Sequence, residues 1–165
     1  MSQHISITIK QGESFSGAVT GKLKPGQALQ KQCEALLAEY EAGETQDARQ
    51  KLNLLKQKHP DSMVVQQLDT LFLYKEGKFQ AAYKGIKNIL SRTPNHAGRL
   101  NLQGLIQRQL GLMDEAIASY KRAISNDPSL AEAYNNLAII YRYYGQSDEA
   151  IKNFKKAMKL DSSFC

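Results

Sequence analysis

The chain has 165 residues, with 22 Lys and Arg against 16 Asp and Glu for a formal net charge of +6. No run of 18 apolar residues occurs, and the N-terminus has no cationic segment leading into an apolar core, so neither a spanning helix nor a secretory signal is expected. Two cysteines, Cys33 in a helical pattern and Cys165 as the last residue, make no disulfide framework and no prenylation signal, so a reduced cytoplasmic setting is expected.

Residues 1–28 read as a short non-helical N-terminal arm. His4-Ile-Ser-Ile-Thr-Ile9 alternates polar and apolar residues, the pattern of one short strand; the segment is expected either to be a mobile arm or to add Ile5, Ile7 and Ile9 as a strand to a partner, such as the same segment of another copy. Gln11 to Gly26 then holds Gly12, Gly17, Gly21, Pro25 and Gly26, which predicts turn or loop. Gly17-Ala-Val-Thr-Gly21-Lys22 is no phosphate-binding loop, because Ser16 stands where the leading glycine belongs and Leu23 replaces the magnesium-binding hydroxyl. Ser16 likewise takes the second glycine's place in Gly12-Glu-Ser14-Phe-Ser-Gly17, so a nucleophile elbow is not formed.

From residue 29 the chain repeats with a period of 34, giving segments 29–62, 63–96, 97–130 and 131–165. Each has a glycine (Gly43, Gly77, Gly111, Gly145), an alanine five residues later (Ala48, Ala82, Ala116, Ala150) and a large residue nine later (Leu52, Ile86, Tyr120, Phe154). Pro60, Pro94, Pro128 and finally Ser162 follow at seventeen. The glycine is placed to end a first helix by taking a positive φ. The alanine lets a second helix approach closely, and the larger residue fills the space between them. Thr45, Asp114 and Ser147 are expected to cap second helices through side-chain oxygens. Proline separates one pair from the next. Two helices of roughly 13 to 16 residues with short turns fill each repeat.

Chemistry is not expected. His4, His59 and His96 do not converge on a metal. The acidic pairs Asp114-Glu115 and Asp148-Glu149 start second helices, where carboxylates favour the positive dipole end. No catalytic residue, cofactor site or metal site is predicted.

Ala131-Glu-Ala-Tyr-Asn-Asn-Leu-Ala138, with Tyr141, Gly145, Ala150, Phe154, Ala157 and Asp161, resembles the tetratricopeptide repeat, and Ala97 to Pro128 is nearly as similar. The resemblance covers about residues 29–162. The earlier repeats depart from it, with Gln32 and Gln66 at the aromatic position that Tyr134 fills, and Asp69 where Gln103 and Leu137 stand. The resemblance implies an all-α fold, a right-handed superhelical solenoid of four helix-turn-helix repeats whose first helices line the concave side.

On that geometry three rows face inward: Cys33, Gln67, Asn101 and Asn135; Leu37, Leu71, Leu105 and Ile139; Tyr40, Tyr74, Arg108 and Arg142. The aliphatic row is either buried between helices or the floor of a groove with hydrogen-bonding walls. In the second case amides pair with a peptide backbone and arginines hold a carboxylate. The candidate partner-binding residues are Leu37, Tyr40, Leu71, Tyr74, Asn101, Leu105, Arg108, Asn135, Asn136, Ile139 and Arg142. The family's lysine-asparagine clamp for a terminal carboxylate is not expected, since Cys33, Leu37, Gln67 and Leu71 occupy its inner positions. An asparagine ladder is absent too, because Leu102, Leu68 and Glu34 precede Asn136 in register.

The second-helix lysines, among them Lys84, Lys87, Lys152, Lys155, Lys156 and Lys159, are expected to form a solvated convex face, and nucleic acid is not expected as a partner. Ile151, Met158 and Phe164 are expected to stay partly bare near the C-terminus, which favours association. The expected function is a protein-interaction scaffold binding a peptide or helix of a partner. The alternative is a homo-oligomerisation module, through the arm or the C-terminal end, or the N-terminal interaction part of a longer enzyme.

Overall fold

A computed structural model describes residues 25–164 and is all-helical over them. Its α-helices are α1 (Pro25–Glu41), α2 (Thr45–Lys58), α3 (Met63–Lys75), α4 (Phe79–Arg92), α5 (Ala97–Gln109), α6 (Met113–Asn126), α7 (Ala131–Tyr143) and α8 (Ser147–Leu160), followed by a 3-10 turn at Ser162–Phe164. They form four consecutive helix-turn-helix pairs, a solenoid-like repeat arrangement. The strand expected at His4–Ile9 lies outside the described residues. Residues 25–28, expected to belong to the arm, instead make the first turn of α1. Pro25 suits that place, because its ring fixes a helical φ and its missing N–H is one the first turn does not use.

The four glycines do what their register predicts. Gly43, Gly77, Gly111 and Gly145 have φ of 102°, 74°, 78° and 72°. Each donates its amide to the carbonyl three residues back, and the next residue donates to the carbonyl five back. In the last pair, Gly145 N lies 3.1 Å from Arg142 O, and Gln146 N lies 2.9 Å from Tyr141 O. This paired closure satisfies the end of the first helix with backbone alone. It also overturns the expected side-chain caps. The cap positions of α2, α6 and α8 are Glu44, Leu112 and Gln146, and none makes a side-chain capping bond. The closed turn delivers the residue just after glycine to the cap, leaving Thr45 and Ser147 as first helical residues and Asp114 as a second. Pro60, Pro94 and Pro128 fall between pairs, as expected.

The chain divides into two compact units, Met1–Phe72 and Leu73–Cys165. In the first, Cys33, Leu36, Ala48, Leu52, Leu55, Val65, Leu68 and Phe72 form a buried apolar cluster. The Tyr40 ring lies 4.2 Å from that of Phe72, and the Arg49 guanidinium sits 5.1 Å from the Phe72 centroid. Asp69, the residue that breaks the repeat pattern, accepts from Arg49 Nη1 and Lys56 Nζ, each at 2.6 Å. An acid there is matched by two bases of α2.

In the second unit α4 packs on α5, α5 on α6, α6 on α7 and α7 on α8. Ala82, Ala116 and Ala150 are buried, as are Ile86 and Tyr120, while Phe154 is half-buried. A Cβ added at Gly104 would come within 2.5 Å of the Tyr120 ring, so only glycine lets that ring lie against α5. The Tyr120 hydroxyl is buried and has no hydrogen-bond partner among the described residues. Burial holds its ionisation above the ordinary tyrosine range, with Arg108 opposing. Because an unsatisfied buried hydroxyl costs about 1–3 kcal/mol, Tyr120→Phe is expected to stabilise the fold by about 1 kcal/mol. A raised urea midpoint with unchanged slope checks this; a lowered midpoint would show that the hydroxyl is satisfied.

Candidate interaction surface

The expected interaction residues divide by exposure. On α1, Leu37 and Tyr40 are half-buried, whereas Cys33, the first-row residue of the same helix, is buried. Burial, with Glu34 adding, pushes the Cys33 thiol up to about 11, so it stays protonated at neutral pH and is no nucleophile. On α3, Leu71 is 2% exposed and serves packing. Tyr74 is also buried, its ring 5.7 Å from that of Phe79 at the start of α4.

In the second unit, α5 and α7 bring two expected residues into direct contact. Asn136 Nδ2 donates to Asn101 Oδ1 at 3.0 Å, and both amides are buried. This bond ties one repeat to the next and occupies groups otherwise open to a ligand. Leu105 is 2% exposed and packed, whereas Ile139 and Asn135 are half-buried. Arg108 is half-buried and Arg142 exposed. The Arg142 guanidinium sits 5.8 Å from the Phe154 centroid. Neither arginine has a carboxylate partner among the described residues. Thus Leu37, Tyr40, Arg108, Asn135, Ile139 and Arg142 keep accessible surface, while Leu71, Tyr74, Asn101, Leu105 and Asn136 do not.

One polar group of this region was not foreseen. The Ser119 hydroxyl lies 2.7 Å from Gln107 Oε1 and 3.2 Å from Gln103 Oε1, sealing α5 to α6 with hydrogen bonds. The Asn101–Asn136 pair had a sequence signal, two amides on first helices one residue beyond a full repeat apart. Ser119 had none, since Gly85 and Asn153 hold its place elsewhere. No group of three or more metal-ligating side chains occurs among the described residues, and no described helix is long and apolar enough to cross a membrane.

Family models described as Tetratricopeptide repeat match residues 34–62 and 131–164, and one described as TPR repeat matches residues 104–142. The matches fall in the first, third and fourth repeats and share the glycine register. This chain belongs to the tetratricopeptide-repeat family. Solved structures similar to this tetratricopeptide-repeat protein include MamA 41-end from Desulfovibrio magneticus RS-1, at 18% identity and a TM-score of 0.67, covering 79% of this chain and 74% of that one. MamA AMB-1 is 25% identical with a TM-score of 0.64, covering 78% and 76%. A further MamA crystal structure is 24% identical with a TM-score of 0.63, covering 84% and 85%. No curated protein matches by sequence. Family and fold together support a protein-interaction scaffold, a class that is typically non-enzymatic.

Proposed function

We propose that this tetratricopeptide-repeat protein is an adaptor that binds a peptide or helix of a partner protein, using the first-helix faces of α5 and α7. The observation that carries the reading is the pair Arg108 and Arg142. They occupy the same position in successive repeats, keep accessible surface and have no carboxylate partner among the described residues. Asn135 and Ile139 stand beside them on α7 with a hydrogen-bonding and an apolar group. An acidic partner segment then places carboxylates on the guanidinium forks and an apolar side chain against Ile139. Leu37 and Tyr40 are a separate accessible pair on α1. The proposal keeps the cytoplasmic setting expected from the sequence. With few anchors and ordering costs, affinity is on the order of micromolar.

Arg108→Glu/Arg142→Glu tests this directly. Both side chains reach solvent, so the helical circular dichroism is expected to stay unchanged. In capture from nuclease-treated lysate, proteins retained by the parent are expected to fall by about tenfold or more with the variant. Equal retention by parent and variant would sink the reading.

A further inference from the structure

One buried polar group has no use in the packing around it. The Tyr120 side chain is 0% exposed, and its hydroxyl has no hydrogen-bond partner among the described residues. Folded proteins pair nearly all such groups, so an unmet one calls for a reason. Packing does not supply it. The same repeat position holds Leu52, Ile86 and Phe154 elsewhere, which shows that the fold asks for bulk there and not for a hydroxyl.

The ring carries that hydroxyl toward the row of Arg108. From α6 it crosses α5 at Gly104, where an added Cβ would stand 2.5–2.8 Å from Cε1, Cδ1 and Cζ, the last of which bears the oxygen. Arg108 is one turn farther along the same face of α5. Burial dominates the raised ionisation of the hydroxyl, but Arg108 opposes it and Tyr74 adds to it, so both stand within electrostatic reach. Tyr74 and Arg108 hold the same place in successive repeats.

The next repeat builds the same device without the oxygen. Phe154 holds the place of Tyr120, and the Arg142 guanidinium sits 5.8 Å from its ring centroid. Each arginine thus stands by the aromatic residue of its own repeat, and only Arg108 has a hydroxyl beside it. A carboxylate can satisfy both donors at once, since its two oxygens accept from a guanidinium and a hydroxyl together. Arg108 is half-buried and long, so it can lift to admit a carboxylate to the hydroxyl without moving α5.

We infer that Arg108 and Tyr120 form a carboxylate subsite, with the guanidinium as its outer donor and the hydroxyl as its inner one, which makes Arg108 the preferred anchor of the two arginines. The inference deepens the adaptor reading and rests on it for the acidic segment that brings the carboxylate.

Acetate is the probe, titrated into the full chain at constant ionic strength while NMR follows the Nε–Hε signals of Arg108 and Arg142. Arg108 is expected to saturate with a dissociation constant on the order of tens of millimolar, and Arg142 about tenfold more weakly. Tyr120→Phe is expected to weaken acetate at Arg108 about tenfold while raising the urea midpoint. A purely structural tyrosine would move the midpoint and leave the acetate affinity alone. Acetamide, the uncharged isostere, should shift neither signal. The inference is overturned by any of four results: no saturable acetate binding at Arg108, equal affinity at both arginines, parent affinity kept in Tyr120→Phe, or acetamide binding as well as acetate. A lowered midpoint would overturn it too, because the hydroxyl would then already have a partner. The adaptor reading fails separately, when Arg108→Glu/Arg142→Glu keeps the proteins captured from lysate although acetate discriminates as expected.

Discussion

Phe72→Ala is expected to destabilise the first unit by about 3–5 kcal/mol, the cost of truncating a fully buried aromatic ring. The ring is 0% exposed, faces Tyr40 at 4.2 Å and carries the Arg49 guanidinium 5.1 Å from its centroid. Removing it opens a cavity among Leu36, Leu52 and Leu68 and strips Arg49 of its aromatic support, while Asp69 still holds the charge. Phe72→Leu keeps most of the volume and should cost about 1 kcal/mol. Because repeat proteins couple mainly through nearest neighbours, the damage should stay local. Hydrogen exchange is expected to speed up in α1 and α2 while α6 to α8 keep their protection. Equal loss of protection along the whole chain would show that the protein opens as one cooperative block.

Gly104→Ala is expected to destabilise the second unit by about 1–3 kcal/mol, although alanine is intrinsically the better helix former by about 1 kcal/mol. The added methyl would stand 2.5–2.8 Å from three atoms of the Tyr120 ring. That ring is fully buried and has nowhere to swing. Sterics therefore reverse the sign that propensity alone predicts. One repeat later the position is Ala138, in register with Phe154, which is only half-buried. Tyr120→Ile, which supplies the residue Ile86 at the equivalent place, removes the ring and should make the alanine tolerable. Denaturation of the two single variants and the double variant would then show coupling of about 1 kcal/mol or more. Strict additivity would mean the ring and the glycine do not oppose one another.

These substitutions show why the fold was legible and the surface less so. A positive φ or a buried small residue is a demand on one position, so Gly43 to Gly145 and Ala48 to Ala150 recur without a slip. Burial of a row position depends on all its neighbours. Leu37, Leu71, Leu105 and Ile139 look equivalent in sequence, yet only Leu37 and Ile139 keep substantial surface. Asp69 reads as a defect until Arg49 and Lys56 are seen to reach it. The rule of side-chain caps failed because it assumes a helix that starts from open chain. Here each second helix starts from a turn already closed by backbone bonds. That Arg108 and Arg142 keep accessible surface was legible because long cations on a helix face tend toward water. The Ser119–Gln107 bond was not, since Gly85 and Asn153 hold the serine's place in neighbouring repeats and no repeated residue marks it.

The glycine closures have a practical consequence for spectroscopy. Because backbone bonds alone shape each turn, the residue after the glycine is Glu44, Lys78, Leu112 and Gln146 in the four repeats, with no side-chain type shared. Glu44, Lys78 and Gln146 are exposed mounting points at helix starts, whereas Leu112 is half-buried. A small fluorophore or spin label attached to each of the three exposed positions in turn, after cysteine replacement, would report how its own repeat breathes with little disturbance of the packing it observes.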